Sequence, residues 1–136
     1  MIEDLDGELR EQAERIRALA NGERDLPVDG IAPELANALV EILRERMHQI
    51  QRWGDGDLPD GTGVEYRPLR DAVQARCDEA DKAGTTTWAL ALLEEVLEVL
   101  SETDPARMME ELRQVGALSA AWMENLQRRG QGENST

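Results

Sequence analysis

TTWALALLEEVLEVLS, residues 86–101, is the stretch on which the fold turns. It contains no Gly or Pro and is rich in Leu, Ala and Glu, which favour helix. At about 100° per residue, Glu94, Glu95, Glu98 and Glu102 fall within an arc of roughly 100°. Leu92, Leu93, Val96, Leu97, Val99 and Leu100 occupy the rest. A helix with so much apolar circumference must pack on more than one side. The acidic stripe is then either a narrow solvent strip or the wall of an internal cleft.

Working outward, SETDPAR interrupts the helical pattern, and Pro105 with Asp104 as N-cap starts a further helix running to about Arg129. A connection this short makes the two helices antiparallel neighbours. Residues equally far from the connection then face each other. Glu98 faces Glu111, and Glu95 faces Gln114 one turn further out. Each pair, Glu95/Glu98 and Glu111/Gln114, is spaced i, i+3 and lies on one helix face.

Upstream, Gly84 ends a helix over 68–83 whose Leu69, Val73 and Cys77 recur every four residues. The segment GDGDLPDGTG, 54–63, is a loop. Counting from its Asp55, the fifth position is Pro59 and the twelfth is Tyr66, so the calcium-loop pattern fails. Pro33 opens another helix to about Trp53, with Leu35, Leu39, Ile42, Leu43, Met47 and Ile50 at helical spacing. Residues 4–20 have the pattern of a short charged helix, followed by a turn-rich linker. Its alternatives are a docking helix and a partly disordered extension.

The expected fold is therefore all-α: an antiparallel bundle of four main helices plus an N-terminal helical arm. The expected divisions are an arm and linker over 1–32, a helical domain over 33–130 and a flexible tail over 131–136. The composition agrees. Of 136 residues, three are Trp and one Tyr, so Leu, Ala, Val, Ile and Met must build the core, which favours helix over strand.

A formal net charge of −14 disfavours nucleic acid, because an acidic chain cannot release counterions from phosphates. A nucleotide remains accessible when metal ions bridge the negative charges. Cys77 is the only cysteine, which rules out an intramolecular disulfide. No apolar run approaches a membrane span, and the acidic N-terminus lacks a signal peptide's apolar segment. A cytoplasmic location is expected. Glu45 and His48 make one E-x-x-H unit, but a di-iron bundle needs two and His48 is the only histidine.

Carboxylates are costly to desolvate unless paired, and a hard divalent cation is a natural partner for oxygen ligands. The plainer reading of an acidic stripe is a solvated face. Two pairs at matching depth in otherwise apolar helices keep a metal site open beside that reading.

EEVLE, twelve residues, then ELRQ resembles the paired signature EExxE and ExxD of MazG-like nucleoside triphosphate pyrophosphohydrolases. HQIQRWGDGDLPDGTG, TTTWALALLEEVLEVL and ELRQVGALSAAWMENLQRR are also similar to actinobacterial and phage members. The resemblance spans roughly residues 39–129. It implies an all-α bundle assembled as a homodimer or homotetramer. It also implies hydrolysis of nucleoside triphosphates to the monophosphate and pyrophosphate, with Mg²⁺ or Mn²⁺ as cofactor. On this resemblance Glu95, Glu98 and Glu111 are metal ligands, and Glu94 is a further ligand or orients the attacking water. Gln114 stands where the family has Asp. A Gln carbonyl can ligate a hard cation but adds no charge, so metal affinity should be weaker or fewer ions bound.

Lys82, Arg107, Asn125 and Arg129 are candidates to meet phosphates or a base. Their plainer reading is solvated groups or helix-end charges complementing the dipole. His48, Gln51 and Trp53 either cap their helix or line the mouth of a nucleotide pocket. Trp88 and Trp122 read as core rather than stacking platforms, and Cys77 as a small buried hydrophobe. The alternative to an enzyme is a non-catalytic helical oligomer that binds nucleotide or a protein partner.

Overall fold

The computed structural model describes residues 6, 7, 10, 11, 14 and 32–134. These residues form four helices and no strand, an all-α fold. The helices are α1 (Pro33–Trp53), α2 (Arg67–Ala83), α3 (Trp88–Leu100) and α4 (Pro105–Asn134), with one 3-10 turn at Val64–Tyr66 before α2. The expected arm over 4–20 and its linker lie largely outside the described residues. Those of the arm that are described are helical.

The chain divides into two compact units, residues 1–57 with 123–136, and residues 58–122. In the first, α1 begins at Pro33, where the missing N–H is not needed. Its Ala36 and Ala38 are buried. Gly54 ends it with φ of 73°, a left-handed value that a Cβ disfavours. Arg44 pairs with Asp6 at 2.8 Å and with Glu41 at 2.7 Å.

The second unit carries the candidate chemistry. α2 packs on α3 through Val73, Cys77 and Leu97, each less than a tenth exposed, with Leu90 and Leu100 against them. The loop before α2 is tied to the end of α3 by a bond from Gly63 N–H to Leu100 O, 2.9 Å. Gly84 closes α2 in the left-handed conformation. Its N–H reaches Asp81 O, while Thr85 N–H reaches Ala80 O, so the last carbonyls are satisfied.

Short polar residues set the hairpin of α3 and α4. Thr87 caps α3 by accepting from Leu90 N–H at 3.2 Å. At the other end, Ser101 is buried and its hydroxyl donates to Glu98 O at 3.2 Å. Asp104 Oδ1 accepts from Ala106 N–H at 3.3 Å, as expected of the N-cap before Pro105. Glu102 accepts from the N–H groups of Thr103 and Asp104, which hold its carboxyl below the usual range. The antiparallel arrangement is visible at both ends. Glu98 meets Glu111 near the turn, and Trp88 stacks on Trp122 far from it, with ring centroids 6.1 Å apart and planes 7° apart.

Candidate metal centre

Glu95 and Glu98 project from one face of α3, and Glu111 reaches them from the second turn of α4. One carboxylate oxygen from each lies within 4.8 Å of the others, and all three side chains are half-buried. The sequence spacing explains the convergence. A four-residue link, 101–104, starts both helices level with one another, so residues at equal depth meet.

Three carboxylates this close are electrostatically unfavourable by themselves. Burial, first, and then hydrogen bonding with Glu98 and the charges of Glu98, Glu95 and Glu110 push the Glu111 carboxyl up to about 7. Glu95 is raised as well, by burial and by the charges of Glu98 and Glu94. Glu95 Oε2 and Glu111 Oε2 are buried and accept no hydrogen bond from any described group. Buried oxygens with no donor are rare in folded proteins. A divalent cation answers both features, since it supplies positive charge and ligates orphaned oxygens. The donor set fits Mg²⁺ or Mn²⁺, which prefer carboxylate oxygen.

The surrounding side chains were not all legible in advance. Gln74 of α2 donates from Nε2 to Glu98 Oε1 at 3.3 Å and orients that carboxylate. It sits one position beside the buried Val73–Cys77 row, the place where a polar side chain borders a core face. Glu94 is half-buried beside Cys77. The Cys77 thiol lies 3.5 Å from Leu90 O and is also in hydrogen-bonding contact with Glu94. Burial and the adjoining carboxylates push it up to about 11.

The remaining expected site residues are placed as follows. Gln114 is exposed on α4, one turn beyond Glu111, and Lys82 is exposed in the last turn of α2. Gln51 and Trp53 are exposed at the end of α1, where the Arg52 guanidinium lies 5.3 Å over the Trp53 ring. With Glu45, His48, Gln49 and Arg52 they line a surface hollow of about 560 Å³. Asn125 is half-buried and Arg129 exposed, both in the part of α4 that belongs to the first unit. The hollow is wide and holds none of the three carboxylates. The orphaned buried oxygens, rather than the size of a hollow, mark the candidate chemistry.

No helix of the described residues is long and apolar enough to cross a membrane. No protein-family model, curated protein or solved structure matches the chain.

Proposed function

We propose that this protein is a divalent-metal-dependent nucleoside triphosphate pyrophosphohydrolase of the MazG-like kind, releasing the nucleoside monophosphate and pyrophosphate. The observation that carries this reading is the Glu95–Glu98–Glu111 cluster with two buried, donorless oxygens. Glu95, Glu98 and Glu111 would hold Mg²⁺ or Mn²⁺. Such a cation polarises phosphoryl oxygens and neutralises the charge that develops on them during transfer.

The rest of the chemistry belongs to the chain. Gln74 fixes the rotamer of Glu98 through its 3.3 Å bond, so one ligand is oriented before any cation arrives. Gln114, one turn from Glu111, offers a neutral carbonyl where the family pattern has a charge. Glu94, next in sequence to Glu95 and beside Cys77, is the carboxylate of this reading that would be a further ligand or orient an attacking water. Lys82, in the same unit as the cluster, is the side chain of this reading that would meet phosphate.

A second reading is a non-catalytic helical oligomer. Leu93, Met109 and Leu112 favour it, being 44%, 56% and 50% exposed on α3 and α4. A homodimer or homotetramer is compatible with both readings.

The test is pyrophosphate release from a panel of common and modified triphosphates with Mg²⁺ or Mn²⁺. The enzyme reading expects pyrophosphate, not phosphate, and loss of turnover in Glu98→Gln and Glu111→Gln. Unchanged turnover in both variants would remove these residues from the mechanism. Absence of turnover, together with no thermal shift from metal and nucleotide, would leave the oligomer reading.

A further inference from the structure

Among the described residues, Gln74 is the one side chain from outside the cluster that donates to its carboxylates, from Nε2 to Glu98 Oε1 at 3.3 Å. It comes from α2, not from the α3–α4 hairpin, and core packing places it. Val73 and Leu97 belong to one buried cluster between α2 and α3. Gln74 and Glu98 are the next residues after them, both half-buried, so the contact that forms the core also sets the polar pair beside it.

The chemistry of this donor matters. The charges that act on Glu95 and Glu111 all come from carboxylates. A Lys or Arg at position 74 would neutralise Glu98 and compete with a cation for it. An amide donates a hydrogen bond without charge, so it orients the carboxylate and leaves its charge for an ion. The three carboxylates are also unequal. Glu95 and Glu111 each keep a buried Oε2 with no donor among the described residues, whereas Glu98 is tethered from a second helix.

A tethered carboxylate discriminates between cations. Mg²⁺ is small and demands near-octahedral oxygen at about 2.0–2.1 Å. Ca²⁺ gathers about six to eight oxygens at roughly 2.3–2.6 Å, often both oxygens of one carboxylate, and needs ligands that can move. To follow the larger ion, Glu98 must turn, and turning breaks the bond from Gln74. The geometry points to Gln74 as the residue that sets the ion preference of this centre, favouring Mg²⁺ over Ca²⁺ by holding Glu98 against that turn. The inference rests on the metal reading of the cluster and adds which residue selects the ion. Gln74 touches no reacting atom and is a positioning residue.

The experiment loads the metal-free full chain with Mn²⁺ and displaces it with Mg²⁺ or Ca²⁺, following the paramagnetic resonance signal of free Mn²⁺. The unaltered protein should release Mn²⁺ to Mg²⁺ more readily than to Ca²⁺. In Gln74→Met, which keeps the length and removes the donor, Mg²⁺ should weaken roughly tenfold, the usual cost of losing a partner that orients a ligand. Ca²⁺ should weaken less than about twofold, because its ligands tolerate movement. Gln74→Asn keeps the amide but not its reach. It should shift the ratio in the same direction, and it decides if Gln74→Met does not fold. Equal weakening of both ions, or no change in either, overturns the role of Gln74 and leaves the metal reading standing. So does an unaltered protein that takes Ca²⁺ as readily as Mg²⁺. If the unaltered protein binds no Mn²⁺, both readings fall.

Discussion

Glu111→Gln should make the metal-free protein more stable while weakening its response to metal. The Glu111 carboxyl has an ordinary value of 4.5 and is pushed to about 7 in the fold. Below pH 4.5 the group is protonated both folded and unfolded, and its carboxyl contributes in full. Between 4.5 and 7 the folded protein retains a proton that the unfolded chain has released. Stability therefore falls as pH rises through that window, and the loss is complete above it. A displacement of this size corresponds to at most about 3 kcal/mol. Solvent screening of a half-buried group reduces this to roughly 1–3 kcal/mol. Glu95, raised in the same direction, adds to the same slope.

An amide of the same shape cannot ionise and so escapes that loss. In EDTA at pH 8, Glu111→Gln should melt several degrees above the unaltered protein, taking about 3 °C per kcal/mol for a chain of this length. At pH 4.5 the two should melt together. With Mn²⁺ at about a hundred times its dissociation constant, the unaltered protein should gain about 2.7 kcal/mol. The variant should gain much less. Thermal melts by circular dichroism at several pH values, with EDTA or Mn²⁺, measure all of this. If Glu111→Gln melts below the unaltered protein at pH 8 in EDTA, the Glu111 carboxylate has a stabilising partner and the electrostatic reasoning is refuted.

Three further outcomes are expected. Leu97→Ala, which empties a side chain only 2% exposed between α2 and α3, should cost about 2–4 kcal/mol in chemical denaturation. A loss under about 1 kcal/mol would mean the Val73–Cys77–Leu97 cluster is not a core. Thr87→Ala should cost about 1 kcal/mol by removing the cap on Leu90 N–H, whereas Thr87→Ser should be nearly neutral. Cys77, buried and pushed up to about 11, should resist a thiol-specific disulfide reagent at pH 8 until denaturant is added. Rapid labelling of the folded protein would contradict its burial.

Helix identity was legible from local chemistry. Pro33 and Pro105 mark starts, Gly54 and Gly84 mark stops, and the observed α1 runs over the expected Pro33–Trp53. Boundaries moved where the competing rule was local. α2 begins one residue before the expected Pro68, after a 3-10 turn. α3 begins at Trp88 rather than Thr86, because Thr87 is spent as its cap. α4 continues to Asn134 through Gly130 and Gly132, since helix once propagated tolerates a Gly at about 1 kcal/mol.

The meeting of Glu98 and Glu111 was also legible, because a short link between two helices brings residues of equal depth together; Glu95, expected opposite Gln114, lies with them in the cluster. By itself, then, the sequence determined which segments are helical, that α3 and α4 run antiparallel, and that Glu98 and Glu111 share a depth. Those properties follow from 3.6-residue periodicity, caps and link length, all of which act within a few turns of chain. Only the tertiary structure decided that Gln74 orients Glu98, that Glu94 lies beside Cys77, and that Trp88 stacks on Trp122 with a hollow alongside. It also decided that two carboxylate oxygens are buried without a donor. Those facts depend on which face α2 lays against α3 and on rotamers chosen in packing. No periodicity along one chain specifies either, because the free energy of burial depends on contact area and not on sequence distance.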